Sequence, residues 1–320
     1  MAKPILVTGA TGLQGSALID NLLLLDPDST RFTILALTRD PSTPKAARLL
    51  AKAPPGRISL IQGNLDDVPS VFAAAKSALR PHNNHIWGVY SVQVSLGRGV
   101  TSAGEIAQGK ALIDGAIANG VDVFVYTSGE RGGDEVSWDT ETPVPHFASK
   151  YHIERHLKEV TAEGKPGTAM AWTVFRPVAF MENITVRFPA KMFVAALKNY
   201  LGRSGQTLQW IAVADIGVFS AQAFVEPEKW KGRAVGLAGD DLTVEQLHEA
   251  FVRATGAPAP STWSIFGTYW TQSDKEMRLM MEWFAVNRYG VDIAELKKEH
   301  PGLLTMEEWV AQKSPFAVTK

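Results

Sequence analysis

The 320-residue chain is long enough for one large α/β domain or two domains in close contact, at roughly 150 residues per domain. Its 45% hydrophobic and 20% charged residues exclude disorder and collagen, and 32 Lys plus Arg nearly cancel 33 Asp plus Glu, so no positive field draws a nucleic acid. The absence of Cys excludes disulfides, iron–sulfur clusters, Cys-liganded zinc and thiol nucleophiles, and no apolar run approaches the roughly 18 residues of a membrane span. Neither nucleic acid nor membrane is an expected partner. Met1 is followed within a few residues by an apolar run and a Gly-rich turn rather than by a basic leader, so a cytoplasmic location is expected.

In chain order, short β-branched or apolar runs at 5–7, 32–37, 58–61, 86–92 and 121–126 read as buried strands. Between them, Leu18, Leu22 and Leu25 share one helical face within 13–25, and Ile106, Lys110, Ile113 and Ile117 repeat the spacing within 102–119. The alternation predicts a doubly wound parallel sheet covered on both faces by helices. A helix at 149–161 and strands at 171–175 and 208–213 continue the pattern, which loosens beyond Arg176. Thr243 with Gln246 and Thr305 with Glu308 form capping-box signatures. Residues 273–287 carry an apolar stripe of Met277, Met280, Met281, Trp283 and Phe284, which suits either a helix over a substrate pocket or plain core. The expected organisation is a nucleotide-binding domain of 1–175 and 207–239 with a smaller, mostly helical substrate part of 176–206 and 240–320.

The string Gly9-Ala10-Thr11-Gly12-Leu13-Gln14-Gly15 ends the first strand and opens a helix. In such a turn the first glycine allows the bend, the second lets backbone approach a pyrophosphate, and the third allows close helix–strand packing. Gly9, Thr11, Gly12, Leu13, Gln14 and Gly15 are therefore the candidate phosphate cradle of a dinucleotide. A site for NAD would place Asp or Glu at the end of the second strand, where this chain has Thr38-Arg39-Asp40-Pro41. Arg39, with Lys45 and Arg48 following, can meet a 2′-phosphate, which predicts NADP(H). The plain alternative pairs Arg39 with Asp40. After the third strand, Asp66 can reach an adenine amino group or, like Asp67, simply cap the next helix.

These motifs, with Phe147-Ala148-Ser149-Lys150 and the run Arg176-Pro177-Val178-Ala179-Phe180-Met181-Glu182-Asn183, resemble the NmrA-like family of atypical short-chain dehydrogenases across essentially the whole chain. The resemblance implies a Rossmann-type domain binding NADP(H) and a small C-terminal substrate part. Phe180 and Asn183, after Arg176-Pro177, are expected to bind the cofactor and line the substrate space beside the nicotinamide, or else to be core packing and a turn cap. The family's members divide between redox-sensing regulators, which act through protein partners, and reductases of aromatic or unsaturated small molecules. Short-chain dehydrogenases use a Tyr four residues before a Lys, with a Ser ending the preceding strand. Lys150 and Ser128 match that pattern, but position 146 is His. Ordinary alcohol dehydrogenation is thereby put in doubt, as is a sugar epimerase, which needs the same Tyr. Lys150 keeps the expected ribose role, and His146 either donates a proton or orients a water or, after the extended Pro143-Val144-Pro145, caps the next helix or faces solvent.

His152 and His156 are four apart, but Glu154 lies two after the first His rather than one, so no metal is expected. The sequon Asn183-Ile184-Thr185 has no meaning without a secretory leader. His82, His85, His248 and His300 have no partner pattern. An NADPH-dependent reductase of an aromatic substrate is the leading expectation. The alternative is a non-catalytic NADP(H) sensor.

Overall fold

The computed structural model describes residues 2–79, 84–97 and 99–317, so His82 lies outside the described residues. The chain divides into two compact units. The first takes in the chain up to Ser128, Ser149–Phe175 and Ile216–Val235; the second takes in Gly129–Ala148, Arg176–Asp215 and the chain from Gly236 on.

The first unit is built on a sheet whose strands are β1 (Lys3–Val7), β2 (Phe32–Thr38), β3 (Ile58–Gln62), β4 (Gly88–Ser91), β5 (Val123–Thr127) and β6 (Ala171–Pro177). Two short strands, β7 (Ala179–Phe180) of two residues and β8 (Leu208–Ile211) of four, precede the sheet's last member, β9 (Arg233–Leu237), and β10 (Asp240–Leu242) follows. The seven-stranded order is β3-β2-β1-β4-β5-β6-β9, and the pairings from β3 through β6 are all parallel. This is a Rossmann-type α/β fold. The order reverses between β1 and β4, the switch point at which such sheets open a crevice at their carboxyl ends.

Alternation along β1 shows how both faces are filled. Leu6 belongs to a core with Leu35, Phe72, Val89, Ile113, Phe124 and Ile153, whereas Ile5 faces the other way, toward Gly88 and Phe224. Pro4 to Val7 are all buried, as a strand covered on both sides must be. On the Phe224 side two helices touch through glycine: a Cβ on Gly217 would lie 2.6 Å from the Ala17 backbone. The expected helices appear as Leu13–Leu25 and Ser102–Ala118.

In the second unit β10-β8-β7 form a separate three-stranded sheet, with β8 antiparallel to β10 and parallel to β7. The strand expected near Leu208 therefore belongs here and not to the large sheet, and Gly129–Ala148 also joins this unit. Both capping boxes form, opening the helices Val244–Thr255 and Met306–Gln312. The stripe at 273–287 becomes the helix Lys275–Val286, capped by Asp274, whose carboxylate accepts from the Glu276 and Met277 amides. Met277, Met280, Met281, Trp283 and Phe284 are buried with Phe193, Trp210 and Trp309 in the core of this unit. A helix Ser264–Ser273, unforeseen from periodicity, lies just before it.

Candidate functional site

The glycine turn has the geometry its residues require. Gly9 adopts φ +57°, a left-handed conformation that L side chains resist, and a Cβ there would meet Val92 Cγ1 at 2.8 Å. A Cβ on Gly15 would lie 2.4 Å from the Gly9 carbonyl oxygen, so the third glycine lets the Leu13–Leu25 helix close on the strand end. The Gly12 amide donates to that same carbonyl at 2.8 Å. Gly12 is the N-cap and supplies no side-chain cap, so the first amides of this helix offer their N–H groups together with the positive end of the helix dipole. The turn is held to the switch point by Thr8: its Oγ1 accepts from the Val92 amide at 2.8 Å and donates to the Val92 carbonyl at 3.0 Å.

Two buried polar atoms here have no hydrogen-bond partner among the described residues, Oε1 of Gln14 on the first helical turn and Oε1 of Gln93 just beyond β4. Buried acceptors are ordinarily bonded, so both fit a donor brought by a ligand. The uncapped helix start, the glycines and these two atoms together fit a pyrophosphate-bearing dinucleotide.

At the end of β2, Asp40 turns away from Arg39: its Oδ1 accepts from the Ser42 amide at 2.8 Å and hydroxyl at 2.6 Å. Arg39 and Lys45 are exposed, and neither has an ion-pair partner among the described residues. Lys45 occupies the first turn of the helix Pro44–Leu50, capped by Thr43. Asp67 accepts from the Ser70 amide and hydroxyl, which makes it the cap of Val68–Leu79. Asp66 is instead held by Asn64 Nδ2 at 2.6 Å and Gln108 Nε2 at 2.7 Å. Those two hydrogen bonds, helped by the nearby Arg39 charge, keep its carboxyl below the usual range.

The residues matched to the dehydrogenase machinery are buried and engaged. Lys150 Nζ donates to Glu105, a carboxylate 2% exposed that also accepts from Ser149 Oγ and, at 2.9 Å, from Ser95 Oγ. Ser128 Oγ donates to Glu154, also buried, one turn beyond Lys150 on the helix Pro145–Val160. Sequence reasoning missed Glu105 and gave Glu154 no role. Glu105 reads as an ordinary acidic residue in the first turn of a helix, and only the fold brings it to Lys150.

In the second unit, Pro145 begins the Pro145–Val160 helix instead of extending the chain, with the Val144 carbonyl accepting from the Ala148 amide. Pro at a helix start has no amide to waste and φ already set. His146 is thereby in the first turn. Its Nδ1 lies 2.7 Å from Glu276 Oε1, which also accepts from the His146 amide at 3.2 Å, and its ring packs edge-on against Phe147. Phe180 pairs with Ile211 in the small sheet, and Asn183 ends a 3-10 turn. Arg176 is buried, bound to Asp134 and stacked over Trp138. Among the described residues no three His, Asp or Glu side chains gather as a metal site. His156 instead meets Asp114 at 2.7 Å.

The model of the NmrA-like family matches residues 1–310. The chain belongs to the NmrA-like family. It is 23% identical to the NmrA-like family domain-containing oxidoreductase lnaB of Aspergillus flavus, over 94% of this chain and 91% of that protein. Among solved structures, the negative transcriptional regulator NmrA in complex with NADP superposes with a TM-score of 0.66 at 19% identity, covering 98% of this chain and 96% of the other. The Citrobacter sp. triphenylmethane reductase complexed with NADP(H) gives 0.67 at 16% identity, covering 98% and 100%. A regulator and a reductase thus share this fold with the chain.

Proposed function

We propose that this NmrA-like protein binds NADP(H) and is a reductase that passes hydride to an aromatic or unsaturated small molecule. The observation that carries the cofactor assignment is Arg39: a guanidinium exposed at the end of β2, turned away from by Asp40, on the same strand end where an acidic residue would favour NAD. Lys45 adds a second cation for the 2′-phosphate. When bound, the cofactor supplies a hydride. Leu13, Gln14 and Gly15 amides at the helix start would receive its pyrophosphate, and Gln93 offers an acceptor at the edge of the switch point. The oxidoreductases among the relatives support the redox reading.

The chain departs from alcohol dehydrogenation at two places. His146 replaces the proton-donating Tyr, and Lys150 spends its charge on Glu105. Reduction of a strongly electrophilic carbon, such as that of a quinone, enone or cationic dye, needs no enzyme acid at the moment of hydride transfer. The same engagement of Lys150 and Ser128 favours a second reading, a cofactor sensor without turnover. NADPH oxidation followed against a panel of quinones, enones and aromatic ketones separates the two. Turnover of a panel member supports the reductase. Tight NADPH binding with none oxidised supports the sensor.

A further inference from the structure

The helices Phe188–Leu201 and Ser264–Ser273 of the second unit lie against each other at unusually close range. A Cβ on Gly267 would fall 2.6 Å from the Ala196 backbone nitrogen, and Asn199 Nδ2 donates to the Ser264 carbonyl at 2.9 Å and to Thr268 Oγ1 at 3.1 Å. Trp270 anchors the second helix inward, edge-on to Phe193. With Gly267 and Thr271 turned in, the outermost ridge of Ser264–Ser273 is Ile265 and Tyr269, which are 68% and 66% exposed. Trp263, 78% exposed, stacks on Phe266, and Phe266 meets Phe188 of the first helix edge-on at 5.3 Å.

A helix lying on a protein in water ordinarily carries charge on its outer face. Here no charged residue occurs anywhere in 254–273, and the only charged residues in 183–214 are Arg187, Lys191, Lys198 and Arg203. Arg187 and Lys191 flank Phe188, beside the exposed aromatic cluster. Lys198 lies on the other side, near Glu245 and His248. The ridge is therefore aromatic and aliphatic, with Arg187 and Lys191 at its Phe188 edge and one acidic residue, Asp274, capping the far end of Ser264–Ser273.

We propose that this helix pair docks the protein on an anionic lipid surface. Trp and Tyr favour the headgroup level, where ring and polar tip are both accommodated, and basic residues beside an apolar helix face are drawn to anionic lipid. A second copy of this chain is the poorer occupant, because its matching face offers Arg187 and Lys191 no acidic partner but Asp274. Among the described residues no helix is long and apolar enough to cross a membrane. The expectation of no membrane partner rested on the lack of a spanning segment, which a helix lying in the interface does not need.

The test is co-sedimentation of the full chain with vesicles of phosphatidylcholine alone and of equimolar phosphatidylcholine and phosphatidylserine, at low and high salt. The proposal expects binding to the anionic vesicles at least about tenfold above the neutral ones, falling with salt. It also expects about a tenfold loss in the double variant Trp263→Ser/Ile265→Ser and in Arg187→Glu/Lys191→Glu. Trp263, Ile265 and Arg187 are exposed and Lys191 is half-buried, and an unchanged thermal midpoint separates lost docking from lost folding. Because the chain has no Cys, Ile265→Cys accepts a single environment-sensitive dye, whose emission shifts to the blue as the helix enters the interface. Vesicle binding at background, binding indifferent to both doublets, or a dimer that the Trp263→Ser/Ile265→Ser variant dissociates without any vesicle binding overturns the proposal.

Discussion

The Lys150 ammonium of this protein is bound to the Glu105 carboxylate, both side chains being buried and 45 residues apart in sequence. Ser149 and Ser95 complete the acceptor's hydrogen bonds, so the carboxylate is compensated by three donors. Such a pair is weak evidence for stability when intact, since both charges were stripped of water to make it. Removing one partner is another matter.

Lys150→Met leaves Glu105 buried and without its counter-charge, at an expected cost of about 3 kcal/mol. The double variant Lys150→Met/Glu105→Leu should recover much of that loss, because an apolar pair needs no compensation. Urea midpoints of the wild type, both singles and the double decide it. Additive single losses would remove the coupling claimed for the pair. NADPH titration of the same variants tests the ribose role independently: Lys150→Met binding NADPH as tightly as wild type contradicts it.

Gly15→Ala puts a methyl 2.4 Å from the Gly9 carbonyl oxygen, and the obstacle is backbone, not a side chain that can swing away. The helix must back off from the strand end. A stability loss of about 2 kcal/mol is expected, with NADPH affinity falling as well, because the amides at the helix start move with it. Calorimetric titration alongside thermal unfolding reads both. Unchanged affinity would place the cofactor elsewhere.

Arg39→Ala should erase most of the discrimination between NADP(H) and NAD(H) while leaving NAD(H) binding nearly as it was. A preference of tenfold corresponds to about 1.4 kcal/mol, modest for a charge-assisted pair on an exposed guanidinium. Calorimetry with both cofactors, repeated at raised salt, provides the check. A preference that survives Arg39→Ala intact shifts the assignment to Lys45.

How far these features were legible follows from how local they are. The glycine turn, the parallel strands and the capping boxes at Thr243 and Thr305 are fixed by residues a few positions apart, and each is visible as a string. The small sheet was not, since β7 has two residues and β10 three, too few for any alternation to register. Pro143-Val144-Pro145 misled in the other direction: the second proline starts a helix, a role proline takes as readily as extending a chain. Glu105 with Lys150 and Glu276 with His146 are pairings across 45 and 130 residues, which nothing in the local sequence announces.

The last pairing decides what His146 can do. Glu276 accepts from both the ring and the amide of His146, so one carboxylate orients the imidazole and caps the start of its helix. The ring's hydrogen bond is the main reason the Glu276 carboxyl is held below its ordinary value of 4.5, with the His146 charge and amide adding to it against the cost of burial. A carboxyl whose folded value is depressed contributes stability in full above its unfolded value, and loses it as pH falls through the folded one. Glu276→Gln should therefore be less stable than wild type near neutral pH, the two curves converging once the pH is taken well below 4.5. Thermal midpoints across that range measure this, and a constant gap down to strong acid would show that the carboxylate's charge plays no part. For chemistry, the bond to Nδ1 directs attention to the other ring nitrogen as the site of proton exchange. With a substrate found by the oxidation panel, His146→Phe should lower kcat if a proton must follow the hydride, and Glu276→Gln should displace the pH profile while NADPH affinity holds. A His146→Phe enzyme keeping wild-type kcat between about pH 5 and 9 leaves the pair as a helix cap alone, and leaves hydride transfer to an electrophile that takes its proton from water.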